Sequence, residues 1–98
     1  MQTATRTILD AGNRLDAVQA FRLRDEADTA WTADQSVIVD VRSVEYMDMA
    51  GLSALAWIMV SCRRRDEAAT LLGPLPPSVA RLLDLTSFDR FFQVRTSP

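Results

Sequence analysis

Ser36-Val37-Ile38-Val39-Asp40-Val41 sets the fold class of this chain. The run is short, β-branched and almost continuously apolar. That is the pattern of a strand covered on both faces, or nearly so, as in a parallel sheet flanked by helices. Beyond it, Tyr46-Met47 leads into Asp48-Met49-Ala50-Gly51, after which Leu52, Leu55, Ala56, Met59, Val60 and Cys62 recur every three or four residues. The spacing predicts a helix. Asp48 is placed to cap its N-terminus, a role worth typically ~1 kcal/mol over alanine. Arg63, Arg64 and Arg65 fall at its negative end, where a cation gains a few tenths to about 1 kcal/mol. The arginine cluster therefore reads as a helix terminus and not as a nucleic-acid site.

On the N-terminal side, a first strand is expected within residues 3–9, and Asp10-Ala11-Gly12-Asn13 is a turn cluster. Arg14-Leu15 begins a short second strand. From Ala17 the period becomes helical, with Ala20, Leu23, Ala27, Ala30 and Trp31 on one face and Arg22, Arg24, Asp25, Glu26 and Asp28 largely elsewhere. On the C-terminal side, residues 69–72 read as a strand ended by Gly73-Pro74. A helix over 78–84 follows, with Pro77 suited to its first position. Residues 88–91 form a turn or short helix, and 92–94 either add a last strand or pack on the sheet. Strands alternating with helices predict an α/β domain with a mostly parallel sheet. Right-handed crossovers then put the chemistry-bearing loops at the carboxyl ends of the strands, and Asp48 to Gly51 lies at such a place.

Composition narrows the function classes. A length of 98 residues suits one domain. Hydrophobic residues at 48% and charged ones at 24% are ordinary globular values, which disfavours disorder. A net charge of −2 argues against nucleic acid or an anionic membrane recognised through bulk charge. All 11 basic residues are arginine, so lysine-dependent phosphate binding and Schiff-base chemistry are absent. Asp40, at a strand end, would suit a phosphoacceptor site only beside a second acid and a lysine. Histidine is missing and Cys62 is the single cysteine, so no disulfide closes within the chain and nothing points to secretion. Residues 1–10 do not read as a signal peptide, and the apolar run from Leu52 to Val60 is far shorter than the ~20 residues of a membrane span. A soluble, cytoplasmic protein is expected. Only carboxylates and Tyr46 remain for acid–base work, and no motif pairs them. The expectation is a binding module with no catalytic residue, cofactor or metal.

Three segments resemble one family. Gly12-Asn13-Arg14-Leu15-Asp16-Ala17 resembles the G-x-L-D entry of STAS domains, the fold of bacterial anti-sigma factor antagonists. The strand Val37 to Val41, followed by Val44-Glu45-Tyr46-Met47-Asp48-Met49-Ala50-Gly51-Leu52, is similar to that family's strand and V-x-D-S/T-S/A-G-L loop. Leu72-Gly73-Pro74 through Val79-Ala80-Arg81-Leu82-Leu83-Asp84-Leu85-Thr86-Ser87-Phe88-Asp89 resembles its closing segment. The three occur in order over nearly the whole chain. The resemblance implies a single STAS-like domain over 1–98: a small mixed, mostly parallel sheet with helices mainly on one face. It also implies a partner, an anti-sigma factor that is a serine kinase, which is released when the serine after the loop aspartate is phosphorylated.

The chain departs from the family at that residue. Met49 follows Asp48, and Ala50 follows Met49, so neither position carries a hydroxyl. Three readings stay open: a permanently binding-competent antagonist, a switch moved to Ser53, or a structural subunit of a stressosome-like or lipid-transport ATPase assembly. The partner-contacting residues are expected to be Tyr46, Asp48, Met49, Ala50, Gly51 and Ser53, with Met49 at the phosphosite-equivalent position. Three of them have a plainer reading beside this one. Asp48 is a helix cap, Met49 is core filler, and Ser53 is a solvent-facing helix serine. Cys62 reads as a small buried hydrophobe, and Trp31 and Trp57 as core.

Overall fold

Strand β3 (Ser36–Asp40) lies inside a four-stranded sheet of order β1-β3-β5-β6, in which every neighbouring pair is parallel. The computed structural model describes residues 5–97; Thr3 and Ala4, where the first strand was expected to begin, lie outside the described residues. The elements in chain order are β1 (Arg6–Asp10), β2 (Arg14–Leu15), α1 (Ala17–Thr32), β3, β4 (Tyr46–Met47), α2 (Met49–Arg64), β5 (Thr70–Leu72), α3 (Pro77–Thr86), a 3-10 turn (Phe88–Phe91) and β6 (Gln93–Arg95).

The register explains why β3 is apolar throughout. Leu9, Val39, Leu71 and Val94 form one row across the sheet, and the first three are buried in the core shared with α1 and α2. Ile8, Ile38, Thr70 and Gln93 form the row on the opposite face, where side chains alternate. Ile38 and Thr70 in that row are buried too, whereas Ile8 at the edge is exposed. An inner strand with both faces covered takes polar side chains only at its ends, here Ser36 and Asp40.

Helices α1 and α2 each have 16 residues, and each follows a two-residue strand and an aspartate. β2 and β4 pair in parallel, Arg14 with Tyr46 and Leu15 with Met47, so the two helices start side by side. Asp16 accepts from the Gln19 backbone N–H at 3.1 Å, and Asp48 accepts from those of Ala50 and Gly51 at 3.0 and 3.1 Å. Both caps supply acceptors to N–H groups that have no partner within the helix. Leu23, Ala27, Ala30 and Trp31 of α1 meet Leu52, Leu55, Ile58, Met59 and Cys62 of α2 in one core. Val79 and Leu83 of α3 complete it, and the Ser78 hydroxyl donates to the Val44 carbonyl at 2.8 Å, tying α3 to the loop before β4.

Trp57 corrects one expectation. Trp31 is core, but Trp57 remains 38% exposed, with its ring tilted 55° against that of Trp31 at 5.8 Å. It sits on the α1 flank of α2, covered by the Arg24 guanidinium at 6.0 Å and not by the sheet. Val60, which fits the helical period, is likewise exposed. Helix α3 runs to Thr86, beyond the expected end, and stops where Ser87 turns left-handed at φ 60. Among the described residues no helix is long and apolar enough to cross a membrane.

Candidate functional site at the start of helix α2

The loop between β3 and β4 is laid down by its backbone. Val44 N–H donates to the Val41 carbonyl at 3.2 Å, and the N–H groups of Glu45 and Tyr46 both donate to the Asn13 carbonyl, at 2.8 and 3.2 Å. This brings Tyr46 alongside Arg14, whose guanidinium lies 4.3 Å over the ring centre, a cation–π contact. The Tyr46 hydroxyl donates to Asp48 Oδ2 over a long 3.4 Å, and Arg14 Nε stands 3.4 Å from Asp16 Oδ2. The two capping aspartates are thus bridged through one arginine–tyrosine pair.

The six candidate residues divide by what they present. Met49, the first residue of α2, is 64% exposed. Tyr46 and Ser53 are exposed too, Ser53 one turn beyond Met49, where its hydroxyl accepts from Arg24 Nη2 at 3.1 Å. Asp48 and Gly51 build the site from beneath: Asp48 Oδ1 is occupied by the cap, and Gly51 is buried against β2. Ala50 is half-buried. Met49 is therefore a surface residue, and the core-filler reading does not hold for it.

Other chemically capable groups are committed elsewhere. Arg42 forms hydrogen bonds to both carboxylate oxygens of Asp40, at 3.0 and 2.9 Å, and holds that carboxyl below its ordinary range. Burial pushes the Cys62 thiol up to about 12, helped by the Glu67 carboxylate. Among the described residues no three His, Cys, Asp or Glu side chains gather as a metal site.

Sequence reasoning missed four residues around this surface. Val18 and Phe21 on α1 are 74% and 77% exposed. Phe21 falls off the apolar face set by Ala20, Leu23 and Ala27, and an aromatic residue on the polar side of an amphipathic helix was the available signal. Arg14 and Arg24 had none, since their partners Tyr46 and Ser53 lie far along the chain.

Fold and site together define a small parallel α/β domain whose distinctive loop is a carboxylate-capped helix start with neutral side chains displayed on it. The family model described as the STAS domain matches residues 1–98, and the chain belongs to the STAS domain family. STAS domains are found in anti-sigma factor antagonists and related proteins, and often mediate protein–protein interactions.

Proposed function

We propose that this domain is an anti-sigma factor antagonist-like binding module, without a catalytic step of its own, that engages its partner in the unmodified state at all times. Its partner in this reading is an anti-sigma factor of the serine-kinase type in the bacterial cytoplasm. The observation that supports it is Met49: exposed, uncharged and without a hydroxyl, on the first residue after the Asp48 cap. A phosphate there would add about −1.5 to −2 charge and change what a partner meets. Methionine cannot accept one, and its unbranched thioether adapts to an irregular partner surface. Tyr46 and Ser53 extend the same exposed strip, and Asp48, Ala50 and Gly51 hold its backbone.

The test compares wild type with Met49→Ser, each incubated with a kinase-type anti-sigma factor and ATP. Wild type should form a stable complex and carry no phosphate, whereas Met49→Ser should bind, become phosphorylated at residue 49 and be released. Phosphate on Ser53 of wild type, located by mass spectrometry, would overturn unregulated binding and identify a relocated switch. Failure of both proteins to bind would overturn the antagonist reading and favour a structural subunit of a stressosome-like or lipid-transport assembly.

A further inference from the structure

The C-terminal half of α2 carries a further exposed surface, joined to the helix start through Arg24, which reaches Ser53. Val60, 43% exposed, lies at its middle. Three residues along a helix return about 60° short of a full turn. Trp57 is therefore rotated toward one side of Val60 and Arg63 toward the other. On the Trp57 side, Phe21, Arg24, Asp25 and Asp28 of α1 line a groove of about 300 Å³ with Trp57. On the Arg63 side, Met59, Val60, Arg63, Arg64 and Phe91 line a groove of about 420 Å³, with the Arg63 guanidinium 5.5 Å over the ring centre of Phe91.

The two flanks carry opposite charge. Among the described residues, neither Asp25 nor Asp28 has a cation within ion-pair distance, and neither Arg63 nor Arg64 has an acid. The one cation in the acidic groove, Arg24, is turned to Ser53 and Trp57. Arg65, by contrast, is already engaged by Glu67 and the Trp31 carbonyl. One apolar strip thus runs between an unpaired acidic flank and an unpaired basic flank.

We infer that this strip is a self-association surface whose occupant is a second copy of the same chain. A two-fold axis along α2, in the plane of contact, sets the strip of one copy on that of the other with the α2 helices parallel. The same rotation brings the acidic flank of each copy to the basic flank of its partner. The acidic–basic contact is then made twice and the assembly closes as a dimer. Met49 and Ser53, eleven and seven residues before Val60, return to within about 20° of it around the helix. The contact therefore extends along this face toward the helix start, and self-association would compete with the partner binding proposed above.

Sedimentation velocity on the full chain tests this over about 10 µM to about 1 mM, a range covering the weak affinities of small interfaces. Wild type should pass from monomer to dimer within it, more readily at low salt because the charge contacts are screened. Arg63→Glu with Arg64→Glu, and separately Asp25→Arg with Asp28→Arg, should each weaken association at least about tenfold by placing like charges together. Mixing the two variants restores opposite charge at both contacts, and a heterodimer should form with close to wild-type affinity. Phe21→Ser, at a 77% exposed site, should weaken association without disturbing the fold and serves if a charge variant misfolds. A wild type that stays monomeric throughout, variants that associate as well as wild type, a mixture that does not pair, or growth beyond a dimer would each overturn the inference.

Discussion

The carbonyl oxygen of Leu15 occupies the space that a Cβ on Gly51 would need, and Leu15 Cγ and Met47 Cγ each lie 2.9 Å from the same point. The first turn of α2 therefore rests directly on the β2 backbone. Leu15 cannot retreat, because it is fully buried and paired with Met47 in the β2–β4 ladder. Glycine at 51 sets how close the helix comes to the sheet, and with it where the neighbouring Met49 stands.

Gly51→Ala should consequently destabilise the domain, although alanine favours a helix over glycine by up to about 1 kcal/mol. The clash is with backbone and buried side chains, so a net loss of about 2 kcal/mol is expected from overpacking. Urea unfolding measures it, and a variant more stable than wild type would contradict the close approach.

Removing the cap separates its two roles. Asp48→Ala deletes the acceptor for two backbone N–H groups and should cost about 1 kcal/mol, whereas Asp48→Asn, a comparable N-cap, should stay within a few tenths of wild type. Equal losses for both in equilibrium unfolding would mean that capping is not what Asp48 supplies to stability.

Cys62 should be silent toward thiol reagents in the folded protein and react only after denaturation, because it is fully buried. Its pH effect has a definite sign. The thiol is pushed up from 9.0 to about 12, first by burial and then by the charge and hydrogen bond of Glu67. Below the unfolded value both states keep the proton and the thiol adds no pH dependence. Between these two values the unfolded chain ionises while the folded one does not, so stability falls as pH rises. Unfolding free energy measured across this range should fall less steeply in Cys62→Ala.

Arg42 should govern the titration of Asp40. Its side-chain hydrogen bonds are the leading cause that lowers the Asp40 carboxyl, while burial works against them. With a folded value depressed below 3.8, the contribution to stability is present above that value and is lost as pH falls through the folded one. Arg42→Ala should move the Asp40 carboxyl upward in an NMR titration. An unmoved titration would show that the pair seen at 2.9 Å does not persist in solution.

Much of this was legible in the residue order. The continuous apolar run of β3, the 3.6-residue period of α1 and α2, the Asp48 cap and Pro77 at the first position of α3 are all recovered in the structure. Of the candidate site, Tyr46, Met49 and Ser53 are displayed at the surface, while Asp48 and Gly51 support it. Less legible was what lies on the surface beside them. Trp57 satisfied a helical period yet stayed at the rim, because one turn of a helix offers more positions than the sheet can cover. Phe21 was overlooked because it lies off the face set by Ala20, Leu23 and Ala27, between Val18 and the charged Arg24 and Asp25.

Residue order alone was enough for the succession of strands and helices, for where α2 begins, and for the absence of a hydroxyl at residues 49 and 50. Those properties depend on neighbours within a turn or two, on backbone preference, and on covalent identity. Folding was needed to set β2 on β4, to lay Arg14 over Tyr46, to bring Arg24 to Ser53 across 29 positions of chain, and to flank Val60 with opposite charges. These juxtapositions arise from the register of distant segments closing over a shared core, and local periodicity carries no information about that register.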